Sequence, residues 1–240
     1  TYTTRSSAAS DVYKRQNQQV LSDSSIVKYY QPFKKNLEES LMNTPISYSP
    51  ETYKKNDGEL NSTLSNMFAD ATYEMSNPVF NKMSGENIDI VLLNNGGIRS
   101  IISKGNISEK TAFELMPFEN SIVVLELSGL SIIKMIDYLR KVKLQHPISG
   151  LQITLNNDYS VNEVKINGVS IENEKKYYVA TTDYLLEGGD KMYFLAETTK
   201  TTDINYKMRD ILIDYFKKYD TLKLKSDNRF IRTKWIEKPF

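Results

Sequence analysis

Apolar residues recur at helical spacing in some stretches of this chain and alternate or run together in others, and that contrast predicts its elements. From 22 to 42, Ile26, Tyr29, Tyr30, Phe33, Leu37 and Leu41 fall three and four apart. This predicts a long amphipathic helix, kinked or restarted at Pro32. A short extended piece at 46–48 follows, then a polar loop through Asp57 and Gly58. Ser62 or Thr63 can cap a second helix carrying Leu64, Met67, Phe68, Ala71 and Met75, because a hydroxyl there accepts from N–H groups of the first turn.

The segment 88–93, IDIVLL, is densely apolar and stops at Asn94-Asn95-Gly96-Gly97. It reads as a buried strand ending in a turn. A short helix from Ser108 through Leu115 follows, then a second buried strand at 122–127. A third helix at 128–139 has Leu130, Ile133, Met135, Ile136 and Leu139 as its apolar positions. Strands are predicted at 151–155, 161–166 and 177–182, with Asn167-Gly168 turning the second of these back into 169–171. A last helix at 204–219 precedes a final strand near 229–232, and apart from Pro32 the prolines fall in loops or near element ends. Strands and helices alternate with no Pro- or Gly-rich linker and no internal repeat. That argues for one mixed α/β domain.

Composition narrows the chemistry. The net charge of +1 over 240 residues supplies no field that would draw the chain onto nucleic acid or an anionic membrane. There is no cysteine, which removes disulfides, thiolate metal sites and cysteine nucleophiles without fixing a compartment. No apolar run approaches the ~18 residues of a membrane-spanning helix. The stretch 1–16, TYTTRSSAASDVYKRQ, lacks the apolar core of a signal peptide. It resembles the scar found at the ends of translated metagenomic assemblies. Residues 17–240 are therefore taken as the domain, with the native start and any export signal expected upstream.

Three segments could carry chemistry. Asn94-Asn95-Gly96-Gly97-Ile98-Arg99 follows a buried strand, where two glycines permit close backbone approach and an arginine offers a planar fork to phosphate or carboxylate. Met116-Pro117-Phe118-Glu119-Asn120 precedes a strand, and Asp183 to Asp190, DYLLEGGD, follows one. Singly, the first and third read as ordinary turns, and Phe118 of the second as a core aromatic at a loop–strand junction. Together they place two aromatics, an arginine, an aspartate and glycine turns at strand ends, an inventory suited to a nucleoside phosphate.

In their order, these motifs resemble the C-terminal domain of the 5′-nucleotidase/UDP-sugar hydrolase family, whose pattern is Asn-Gly-Gly-Gly-Ile-Arg, then Pro-Phe-Gly, then Asn-Phe-x-x-x-Gly-Gly-Asp. The resemblance runs from about residue 61 to 194. It implies a four-layer α/β/β/α sandwich, with Phe118 and Tyr184 stacking on a nucleobase and Asp190 accepting from ribose hydroxyls. It also implies that Arg99 and Asn94 face the phosphate, that Gly96 and Gly97 shape that turn, and that Asn120 and Gly150 lie beside the base. Three departures stand out: Asn95 where glycine is frequent, Glu119 after the Pro-Phe pair, and no arginine upstream of Leu64-Ser65-Asn66, where Lys54 and Lys55 are the nearest cations.

The resemblance further implies hydrolysis by a divalent metal pair of the Mn, Zn or Mg type, held by a separate domain. Such a centre needs several imidazoles and bridging carboxylates, whereas this chain has one histidine, His146, read as a surface or packing residue. No metal site is therefore expected on this chain. The expected partners are an AMP- or UDP-sugar-like nucleotide and a metallophosphoesterase subunit, and the expected place, by family habit, is the periplasm or cell envelope. Competing readings are a nucleotide-binding module without a catalytic partner, and a structural domain that has lost its ligand.

Overall fold

The computed structural model describes residues 22–42 and 44–233. The stretch 1–16, set aside above, lies outside them. The chain divides into two compact units between Asn43 and Thr44. The first unit contributes helix α1, Ser24–Met42, which runs through Pro32. Ile26, Tyr29 and Phe33 on it are exposed, and the rings of Tyr29 and Phe33 meet at 5.9 Å. Leu37 and Leu41 fall outside the residues whose side chains are described.

The second unit opens with β1, Ser47–Ser49, and then α2, Thr63–Ser84. Of the two candidate caps it is Ser62 that serves, its hydroxyl accepting from the Ser65 N–H at 3.1 Å. This helix carries Pro78 in its interior and closes on Gly85 at φ 79°. The sequence reading had put Pro78 near the helix end, but burial of Phe80 beyond it carries the helix on for another turn and more.

Next come β2, Ile90–Leu92, β3, Gly105–Ile107, α3, Glu109–Leu115, β4, Ser121–Ser128, and α4, Gly129–Val142. Four strands follow: β5, Ile148–Ser149, β6, Leu151–Leu155, β7, Val161–Ile166, and β8, Val169–Ser170. Last come β9, Lys176–Thr182, α5, Asp183–Leu186, β10, Lys200–Lys207, α6, Met208–Lys218, and β11, Phe230–Arg232. The described residues thus form a mixed α/β structure with six α-helices and three sheets.

The central sheet has the order β10-β4-β9-β2-β5. Strands β2 and β4 are buried along most of their length, which is why their apolar runs are continuous rather than alternating, whereas edge strand β10 is largely exposed. In β4, Ile122 and Val124 join one core while Val123, Leu125 and Leu127 join the other; in β2, Val91 faces the first and Ile90 and Leu92 the second. The first core is completed by α2, α3 and α6. The second is completed by α4 and the four-stranded sheet β11-β6-β7-β8, which turns Leu151, Ile153 and Leu155 inward and leaves Gln152 exposed.

Two elements differ from expectation. The segment read as the start of the last helix is strand β10, paired antiparallel with β4, and α6 begins only at Met208. The edge of β4 would otherwise leave a row of unpaired backbone groups, and its demand outweighs the helical spacing of the sequence. On α4 the buried apolar positions are Ile132, Met135, Ile136 and Leu139, whereas Leu130 and Ile133 are 48% and 44% exposed. The helix is rotated from the predicted stripe because its inner face must meet β4 and the 193–197 turn.

Candidate nucleotide site

Topology brings the three candidate segments together. Strands β2 and β9 are parallel neighbours, so the turn after β2 and the loop after β9 leave the same end of the sheet. Strand β4 runs antiparallel to β9, with Ile122 opposite Thr182, so the loop before β4 arrives at that end too. A cavity of about 260 Å³ lies there, lined by Asn94, Gly96, Gly97, Arg99, Phe118, Asn120, Tyr184 and Asp190. Small-ligand sites usually begin near ~300 Å³, so this one suits a compact ligand. Gly150 is not among the lining residues. At φ 74° it forms the turn between β5 and β6, and a Cβ there would lie 2.0 Å from the Asp89 carbonyl oxygen, so the glycine serves a close crossing of backbone.

Asp190 is the hub. It sits in the left-handed region at φ 51°, after Gly188 and Gly189 have turned the chain. Its Oδ2 accepts from Asn94 Nδ2 at 2.8 Å, its Oδ1 from the Tyr184 hydroxyl at 3.2 Å, and its main-chain oxygen from the Tyr138 hydroxyl at 2.8 Å. Both loops are thereby tied across the cavity, while the exposed carboxylate keeps lone pairs for further donors. The Tyr184 ring lies over Gly189, where a Cβ would meet ring carbons at 2.4–2.6 Å. Only glycine leaves room for the ring there.

Arg99 is exposed, and its Cζ stands 5.9 Å from the Phe118 ring centroid. Nη1 of Arg99 donates to the Gly96 carbonyl at 3.3 Å, which leaves most of the guanidinium fork for a ligand. A Cβ at Gly97 would lie 2.9 Å from Asn94 Oδ1, so a larger residue there would push on the side chain that reaches Asp190. Phe118 and Tyr184 are 42% and 44% exposed, half-open apolar faces of the kind that stack on a planar ligand.

Three features escape the motif reading. Lys55 donates to the carbonyls of Ile98 at 2.7 Å and Asn95 at 3.2 Å, so a cation does support the turn although the upstream arginine is absent. Burial, and then the Arg99 charge, lower the Lys55 pKa from its usual value. Glu119 is ion-paired with Lys207 and Arg209, and the hydrogen bonds from these two bring its carboxyl down to about 2. Its charge is neutralised locally, which could be seen only once β10 and α6 were placed beside the loop. His146, for its part, is buried behind the turn at 2% exposure, and its Nδ1 accepts from the Asn95 N–H at 3.3 Å. Among the described residues no group of three or more His, Asp or Glu side chains is placed to hold a metal ion. The donor set of the described residues does not fit the dimetal centre of a phosphoesterase.

A second, larger cavity of about 430 Å³ lies between α4 and β7, lined by Ile133, Ile136, Val161, Val164 and Ile171 among others. It contains none of the candidate residues and is mainly apolar.

Comparison with known proteins bears on the family and the fold. The family "5'-nucleotidase, C-terminal domain" matches residues 42–197, more than half of the chain. Protein UshA of Escherichia coli K12 is 32% identical over 115 residues, covering 45% of this chain and 20% of its own length. The cell wall protein Lmo0130 of Listeria monocytogenes is 32% identical over 144 residues, covering 54% of this chain and 18% of its own length. In structure, the 5'-nucleotidase precursor of Thermus thermophilus superposes with a TM-score of 0.72 at 22% identity, covering 89% of this chain and 43% of that one. The chain spans about a fifth of these curated relatives and under half of that solved structure.

Proposed function

Because this chain belongs to the 5′-nucleotidase C-terminal domain family, we propose that its cavity holds a nucleoside phosphate, as the nucleotide-binding component of a phosphoester hydrolase. The observation that carries this is the convergence of Phe118, Tyr184, Asp190 and Arg99 on one cavity. The two rings take the base, contributing roughly 1–3 kcal/mol per stacked face. The Asp190 carboxylate, oriented by Asn94 and Tyr184, accepts from the ribose hydroxyls. The Arg99 fork takes the phosphate, with Asn94 in the same turn. In this reading base and ribose fill the cavity and the phosphate lies at Arg99 on its lining.

The residues present supply binding and orientation. The divalent metal pair that would activate water for attack on phosphorus belongs, in this reading, to a metallophosphoesterase subunit or to a further segment of a longer protein. A place in the cell envelope accords with the kinship to a cell wall protein. Among the described residues no helix is long and apolar enough to cross a membrane.

Two measurements test the proposal. Calorimetric titration with adenosine, AMP and UDP should show binding that Phe118→Ala and Tyr184→Ala each weaken; no weakening in either variant removes the base-stacking assignment. Hydrolysis of AMP or a UDP-sugar with Mn²⁺ or Zn²⁺ should require an added metallophosphoesterase chain. Turnover by this chain alone, surviving contaminant controls, overturns the division of labour.

A further inference from the structure

We infer that His146, outside the cavity, is the positioning residue that holds the phosphate-side turn in its binding shape, and that ligand affinity depends on its imidazole staying neutral. The inference rests on the reading of the cavity as a nucleotide site.

The geometry behind the cavity is a two-point clasp. Segment 145–146 grips Asn95 twice: His146 Nδ1 accepts the main-chain N–H at 3.3 Å, and the Gln145 carbonyl accepts from Asn95 Nδ2 at 3.0 Å. Asn95 opens the turn whose neighbouring residue, Asn94, reaches Asp190. From the other side Tyr138, its ring 5.9 Å from the imidazole, holds the Asp190 main-chain oxygen. The Tyr138–His146 pair is therefore a common back wall to both loops.

An imidazole accepting at Nδ1 carries its proton on Nε2, and that nitrogen is buried without a partner. A second proton would set an N–H against the Asn95 N–H and place a cation in a buried site where the Leu93 carbonyl and the Asp190 charge compensate it only in part. Tyr138 of α4 faces the ring, and Asp190 acts on it from the 189–191 turn. Lys55 and Arg99 are bound to the 94–99 turn through the Asn95, Ile98 and Gly96 carbonyls. Burial lowers the imidazole pKa, with the Leu93 carbonyl and the Asp190 charge pulling it back up. The neutral form dominates at pH 7, and the clasp fails as pH falls through the lowered value.

The chain has one histidine, so its ring gives a single, self-assigned NMR signal. The ring should titrate below the ordinary ~6.5, and the Asn95 amide resonance should move with the same midpoint. Saturation with adenosine, which lacks the phosphate that titrates near pH ~6, should shift that midpoint further down. By linkage, adenosine affinity measured by calorimetry should fall toward about tenfold per pH unit below it. His146→Asn keeps an acceptor near the Nδ1 position but cannot titrate, and its adenosine affinity should be flat over the same range. Should that variant not fold, the wild-type titration decides alone: a midpoint unmoved by bound adenosine overturns the linkage. An Asn95 amide that does not follow the ring overturns the positioning role. Absence of adenosine binding at every pH overturns the reading of the cavity itself, a distinct failure.

Discussion

Replacing Gly189 with alanine adds one methyl group where the Tyr184 ring already lies. Its Cβ would stand 2.4 Å from Cε1 and 2.6 Å from Cδ1 and Cζ, against ordinary carbon contacts of about 3.5–4.0 Å. The ring must retreat by about 1 Å or more to restore such contacts, and its hydroxyl leaves Asp190. Gly189 itself is outside the left-handed region, so alanine's backbone fits and the fold should survive. The displaced ring no longer stacks on a base held by Phe118, a loss of about 1–3 kcal/mol, or roughly 5- to 150-fold in Kd. Calorimetric titration with AMP of wild type, Gly189→Ala, Tyr184→Ala and the double variant measures this directly. Because both substitutions act through the same ring, the double variant should lose no more than Tyr184→Ala alone. Wild-type affinity in Gly189→Ala, or full additivity in the cycle, refutes the argument that the glycine exists to seat the tyrosine.

Three further outcomes follow from the packing. Glu119 has a folded pKa of about 2 against an ordinary 4.5, so its ion pairs stabilise above pH 4.5 and are lost as pH falls toward 2; Glu119→Gln should flatten that part of the urea-midpoint curve, and a parallel decline would show that the pairs contribute nothing. Arg229 bridges Asp70 and Asp227 at 2.7 Å each, yet the carboxylates stay 41% and 50% exposed. Arg229→Met should therefore cost about 1–3 kcal/mol in chemical denaturation, less than the ~3–5 of a fully buried pair, and an unchanged midpoint would count against the bridge. On α4, Ile132→Ala should cost about 2–5 kcal/mol and Ile133→Ala, at 44% exposure, under about 1; equal losses would place the helix in the wrong rotation.

The doubly buried strands were legible because a sheet covered on both faces demands apolar residues at every position. The runs at 88–93 and 122–127 announced β2 and β4 accordingly. Ser62, one of the two caps the sequence offered, capped α2 through local chemistry that needs no distant partner. The glycine pairs and the aromatics flanking them carried the cavity for the same reason: their spacing is local, and three strand ends deliver them to one place.

Other features depend on contacts far apart in sequence. Strand β10 exists because β4 has an edge to pair, and the rotation of α4 follows from what lies beneath it. The partners of Glu119 are Lys207 and Arg209, 88 and 90 residues away. Gly150 proved to serve a backbone crossing at Asp89, and His146 became the clasp of a turn 51 residues upstream. Periodicity and motif spacing report what a residue needs from its neighbours in the chain. Edge pairing, charge compensation and burial of a lone imidazole are settled between segments, and only the tertiary structure decided them.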